Sequence, residues 1–170
     1  MVEIDIQTIS IVIAAMSVVI AAANSIQASR EAQKTRESEL ENRQAQLFME
    51  IYNRFNDKEF SKMTDDVCFN WQWKDYDEFM EKYGYERNIE AWGDFSALFN
   101  FFEGIGVLLK QGLIRATLVS ELMSGPILRY WEKFEPILNE RREHLTHHEA
   151  IDNVEYLYRE VRSLGSRARE

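Results

Sequence analysis

Charge is the first thing this chain lacks. From Ile6 to Ser29 there is no Asp, Glu, Lys or Arg, although the 170-residue chain as a whole is polar and carries a net charge of −9. Cysteine is nearly absent as well. A lone Cys68 excludes an internal disulfide and suits a reducing, cytoplasmic setting. Asp65 and Asp66 just upstream deny that thiol the electropositive surroundings of a nucleophile, so it reads as structural. Glycine and proline are missing before Gly84, and the only prolines are Pro126 and Pro136. There is no Gly-rich phosphate loop, no nucleophile elbow and no dinucleotide fingerprint. No residue can be assigned a catalytic role, and the expectation is a non-enzymatic protein without cofactor or metal.

The charge-free run is long enough to cross a bilayer. As a helix, Ile6 to Ser29 would span about 36 Å, against about 30 Å of hydrocarbon. Its densest part, Ile9 to Ala23, has only Ser10 and Ser17 as polar interruptions. A signal peptide would need a positive n-region, and Met1 to Asp5 offers only Glu3 and Asp5, although Ala21-Ala22-Ala23 could serve for cleavage. A buried helix of a soluble domain would be shorter and would show a charged face. A retained transmembrane anchor fits best. Arg30, Lys34 and Arg36 flank it on the C-terminal side, with no basic residue before it. The positive-inside rule therefore places the N-terminus outside and the rest at the cytoplasmic face of the cell membrane.

Beyond the charge-free run the pattern stays helical. Without Gly or Pro the anchor has no local reason to stop at the lipid surface, so one rod is expected from about Asp5 to Phe55. Glu39 and Arg43 stand four apart in the favourable order. Leu47, Phe48, Ile51, Tyr52 and Phe55 give its end an apolar face to dock on the next domain. Phe60, Met63, Val67 and Cys68 form a short stripe. Phe69, Trp71 and Trp73 form a loop packed by its tryptophans. Asp75 with Glu78 is a capping-box spacing that opens a helix closed by Gly84.

A long helix is expected over about 88–111, ended by Gly112, with Gly93, Gly104 and Gly106 inside it. Glycines cost helix stability and suggest a neighbouring helix approaching closely. A short helix over 117–123 should stop at Gly125, and Pro126 should open the next, kinked at Pro136. A last helix over about 150–164 precedes Gly165. The chain is therefore all-α: a transmembrane anchor (1–29), a polar rod (30–46), a compact helical cytoplasmic domain (47–164) and a frayed tail (165–170).

Ser10, Ala14, Ser17, Ala21, Asn24 and Ala28 recur at alternating four- and three-residue spacings, the seam period of a coiled coil. Small and polar residues at that period let membrane helices approach and hydrogen-bond. The spacing continues through Glu31, Thr35, Ser38, Asn42, Ala45 and Met49. Ala and Ser are common in transmembrane helices in any case, yet the stripe points to a homo-oligomer. With more than two helices it could line a narrow pore, which makes a small homo-oligomeric channel or membrane-perturbing effector the alternative function. Glu140, His144 and His148 would share a helical face able to hold a divalent metal, with His147 beside them, but they match no zinc spacing and read as a solvated turn. From Asp57 onward there are 15 basic residues against 22 acidic, a net of −7. Nucleic acid is a poor partner for such a domain.

The run from Asn100 to Ile114 (Asn-Phe-Phe-Glu-Gly-Ile-Gly-Val-Leu-Leu-Lys-Gln-Gly-Leu-Ile), followed by Gly125-Pro126-Ile127-Leu128-Arg129-Tyr130-Trp131-Glu132, resembles the core signature of a prokaryotic domain-of-unknown-function family of small single-anchor membrane proteins. The resemblance covers about 47–164 and departs at Arg115, where an acidic residue is expected. It implies the architecture and supplies no activity or catalytic residue. Within the signature, Gly104 and Gly106 permit close helix packing, and Glu103, Arg129 and Glu132 form a candidate polar pairing. The expected function is a single-pass, non-catalytic membrane protein that self-associates through its anchor and docks an unknown cytoplasmic protein partner.

Overall fold

The computed structural model describes residues 6–144 and 151–167, with side chains over 16–143 and 151–166. Among the described residues all regular structure is helical. The helices are α1 (Ile6–Phe55), α2 (Lys58–Asp65), α3 (Tyr76–Tyr83), α4 (Ile89–Lys110), α5 (Ala116–His144) and α6 (Asp152–Arg167), with a π-helical turn at Asp66–Asn70. The chain divides into two compact units, residues 1–43 and 44–170.

In the first unit α1 runs without interruption, and every described side chain from Met16 to Arg43 is exposed. Local bonds decorate it: Gln27 Nε2 donates to Glu31 Oε1 at 3.1 Å, Gln33 Nε2 to Glu37 Oε1 at 3.1 Å, and Thr35 Oγ1 to the Glu31 carbonyl at 3.0 Å.

The second unit is built around aromatic rings. The end of α1 enters it through buried Phe48, with Leu47, Ile51, Tyr52 and Phe55 half-buried beside it. Phe79, Phe95, Phe102, Tyr130 and Phe134 are fully buried. Their centroids follow one another at 5.3 Å (Phe79–Phe95), 5.4 Å (Phe95–Phe134), 5.0 Å (Phe134–Tyr130) and 4.9 Å (Tyr130–Phe102). Such offset and edge contacts each add about 0.5–1.5 kcal/mol beyond the area they bury.

Helices α2, α3 and α4 each start where a side chain can accept from free N–H groups. Asp57 accepts from Glu59 and Phe60 N–H, Asp75 from Glu78 N–H, and Asn88 from Ala91 N–H. The capping box of α3 closes one residue early, with Glu78 Oε2 accepting from Lys74 N–H at 2.7 Å. At the end of α4, Gly112 takes φ +67°, its N–H reaches the Leu109 carbonyl at 3.0 Å, and Leu113 N–H reaches that of Leu108 at 2.9 Å. This is a Schellman closure, which needs a residue free to adopt the left-handed region. Gln44 Nε2 donates to the Gly112 carbonyl at 2.7 Å.

Three expectations about glycine and proline are corrected. Gly125 and Pro126 do not divide two helices, because α5 passes through both and through Pro136. An interior proline costs about 3 kcal/mol. Buried Val119, Met123, Ile127 and Tyr130 carry one apolar stripe across the site, and burial of such side chains contributes about 1.5–3 kcal/mol each. Gly165 likewise does not end the last helix, which continues to Arg167. Of the three glycines in α4, only Gly106 answers to close approach. A Cβ there would lie 2.1 Å from the Asn153 carbonyl oxygen of α6, whereas one at Gly93 or Gly104 would meet nothing within 4 Å.

α6 lies against both α4 and α5, burying Val154, Leu157 and Val161. Glu103 of α4 holds its first turn, accepting from Asn153 Nδ2 and Val154 N–H, both at 2.7 Å. The polar pairing expected among Glu103, Arg129 and Glu132 is therefore replaced by a cap supplied across a helix interface.

Gly106→Ala is expected to destabilise the second unit by about 1–3 kcal/mol, because backbone must move. Gly104→Ala should be neutral or stabilising by up to about 1 kcal/mol. Thermal and urea unfolding followed by circular dichroism on the two variants checks this; equal effects would remove the close approach of α4 and α6.

Candidate functional site

Two places stand apart from ordinary core and surface. The first is the N-terminal part of α1. Met16, Val18, Val19, Ile20 and Ile26 are 55–68% exposed. Of the expected seam, Ser17, Ala21, Asn24 and Ala28 are exposed on the helix, and so are Arg30, Lys34 and Arg36 of the flank. Ser10 and Ala14 lie outside the described side chains, as does the rest of the run before Met16. Among the described residues no helix is long and apolar enough to cross a membrane.

The second place lies where the π-helical turn meets α5. A π turn carries one more residue per turn than an α-helix and leaves C-terminal carbonyls for other groups to satisfy. Here Lys133 of α5 reaches across. Its Nζ donates to the carbonyls of Cys68 and Trp71, both at 2.8 Å, and lies 5.0 Å from the Trp73 ring centroid. Burial holds the Lys133 ammonium below the usual lysine range.

Asp66 fixes the same turn from the other side. Its two carboxylate oxygens accept from Asn70 Nδ2 at 2.8 Å and from Trp71 Nε1 at 3.0 Å, and these bonds hold its pKa below the ordinary value. Trp71 then stacks on Tyr83 at 4.0 Å and 4°. Trp73 packs between Phe79 and Phe134, at 5.1 Å from each. An open cleft of about 380 Å³ remains, lined by Cys68, Trp71, Gln72, Trp73 and Lys133.

One helical turn back on α5, Arg129 extends over the exposed ring of Phe69, with Cζ 4.5 Å from its centroid. Among the described residues neither Arg129 nor Lys133 makes an ion pair. Further along α5, Arg141 lies over the Trp92 ring at 4.7 Å, and Arg142 bonds Asp152 at 3.3 Å and Glu155 at 2.9 Å, where Arg159 of α6 also meets Glu155. The loop at Trp71 and Trp73 was legible from the sequence, but Lys133 was not, because only the tertiary fold brings it to carbonyls more than sixty residues away. The sole sequence signal is the four-residue step from Arg129 to Lys133, which puts both on one face of α5.

Cys68 is buried, and desolvation pushes its thiol up to about 11, outweighing the opposing pull of Lys133 and Arg129. His147 and His148 lie outside the described residues, and the side chain of His144 does as well. Among the described residues no group of three metal-ligating side chains converges.

The pattern of the family Domain of unknown function (DUF4760) matches residues 6–161. The chain belongs to that family. No curated protein and no solved structure matches it. The DUF4760 match begins at Ile6, within the charge-free run, so the family pattern takes in the N-terminal helix as well as the head. That is wider than the 47–164 covered by the signature read from the sequence.

A thiol at about 11 against 9.0 in the unfolded chain is about a hundredfold less ionised at pH 8. Iodoacetamide should therefore label native Cys68 at least about a hundredfold more slowly than the chain in urea. Because the folded state keeps the proton longer, stability should be flat below pH 9 and decline between pH 9 and 11 from this group. Rapid native labelling at pH 8 would show that the thiol is not buried as described.

Proposed function

We propose that this DUF4760 chain is a single-pass membrane protein. Its N-terminal helix lies in the bilayer, and its acidic helical head docks a protein partner on the cytoplasmic side without chemistry of its own. The supporting observation is the exposure of apolar side chains around α1 rather than along one face. Val18, Val19 and Ile20 are 57–68% exposed. At about 100° per residue they spread over some 200° of the helix circumference. A groove on another protein covers a stripe, whereas lipid covers all sides. Leaving such surface in water costs about 25 cal/mol per Å².

The charge-free run is long enough for the hydrocarbon, and Arg30, Lys34 and Arg36 at its end favour the cytoplasmic side for the head. The family match from Ile6 supports a retained helix over a cleaved leader. Small and polar residues at Ser10, Ala14, Ser17, Ala21, Asn24 and Ala28 support association of two or more copies along that face. The inert setting of Cys68 and the absence of catalytic motifs support a binding role.

The protein should stay with membranes through a carbonate wash. A Cys introduced at Glu3 should react with an impermeant maleimide from outside, and one at Asp57 only after permeabilisation. Release as soluble protein would overturn the anchor. Ser17→Cys or Asn24→Cys should trap homo-oligomers under oxidation in the membrane, and monomer alone would remove the self-association.

A further inference from the structure

The partner-docking role leaves open where on the head a partner would sit and what it would carry. The head is acidic, so a cluster of unpaired positive charge over aromatic rings is out of keeping with its surroundings. Arg129 and Lys133 form that cluster, both on one face of α5 and both without an ion pair among the described residues. Arg129 lies over Phe69, which leaves 53% of its surface to solvent. Lys133 spends two of its three donors on neutral carbonyls and borders the cleft beside Trp73. The nearest carboxylate of the turn, Asp66, is occupied by Asn70 and Trp71. Aromatic residues and arginine are the residue types enriched in binding hot spots.

From this placement we infer that the face made by Phe69, Trp73, Arg129 and Lys133 is the docking surface of the head, and that its occupant is an acidic protein segment with apolar residues between its carboxylates. A carboxylate would meet the free edge of the Arg129 guanidinium and the remaining Lys133 donor, and an apolar side chain would cover Phe69. Repulsion from the rest of the head does not forbid this. Exposed charges beyond about 10 Å are largely screened at 0.1 M salt, while contacts at hydrogen-bond distance are not. The inference rests on the partner-binding role proposed above and fails separately from the anchor.

The test uses the full-length protein in phosphatidylcholine nanodiscs and a short fluorescein-labelled peptide of alternating Glu and Leu, read by polarisation. Saturable binding is expected, weakening as salt is raised from 50 to 500 mM. Replacing Glu by Gln in the peptide, or Arg129→Gln in the protein, should each weaken binding about tenfold, which corresponds to about 1.4 kcal/mol. Phe69→Ser should weaken it too, and Lys133→Arg should retain it. Arg129 and Phe69 are exposed, so their variants keep the fold, checked by circular dichroism. No binding, equal binding of the Gln peptide, or indifference to both Arg129→Gln and Phe69→Ser would overturn the inference. So would binding to phosphatidylserine vesicles that depends on Arg129 while the peptide does not bind. Loss of carbonate resistance with peptide binding intact would count against the anchor alone.

Discussion

The head depends on a column of aromatic rings. Phe79, Phe95, Phe134, Tyr130 and Phe102 touch in series, and Phe55 at the end of α1 joins the same set at 6.3 Å from Phe102. These residues come from α1, α3, α4 and α5, so one continuous buried object ties together elements far apart in sequence. Its energetics also explain two features that local rules disfavour. Helix α5 keeps its path through Gly125, Pro126 and Pro136 because leaving it would withdraw Tyr130 and Phe134 from the column. Among the described residues the buried hydroxyl of Tyr130 has no hydrogen-bond partner, and desolvation drives its pKa well above the ordinary tyrosine value.

Polar groups then fix what the rings leave loose. Glu103 sets the start of α6 from a neighbouring helix, at the place where Gly106 lets the Asn153 backbone come close. Lys133 bonds the carbonyls of Cys68 and Trp71 while Asp66 holds the Trp71 indole, and together they fix the π-helical turn. In both cases a charged side chain satisfies backbone groups that a helix end or an irregular turn would leave exposed, a use worth more than a surface ion pair. Lys133 therefore has a structural task and still brings positive charge to the rim of a cleft. In the first unit the described side chains are exposed, and the bonds made by Gln27, Gln33 and Thr35 are local.

Legibility followed the range of the interactions concerned. The caps Asp75 and Asn88 and the closure at Gly112 act within a few residues, and α3 and α4 begin and end where the pattern places them. The docking face of α1 through Phe48 and Phe55 was equally plain from its apolar spacing. Gly104 was misread because a glycine in a helix looks the same whether or not a neighbour approaches it. Leu157 is buried, while its neighbour Tyr158 is partly exposed and stacks on Trp131 at 5.5 Å, a division that adjacent residues in a sequence do not show. The π turn and its clamp were invisible, since both depend on where α5 passes.

Composition and periodicity alone determined that the chain is helical, that its N-terminal run has no charged face, and that no familiar catalytic constellation is present. Those properties follow from side-chain chemistry and from bonds made within a turn or two of helix. Only the tertiary structure decided which glycine is a contact, that both prolines are tolerated, which carboxylate caps α6, and that Arg129 and Lys133 lie over rings from another segment. Such outcomes are set by packing between residues far apart in the sequence, where the energy of the assembled core outweighs local preference.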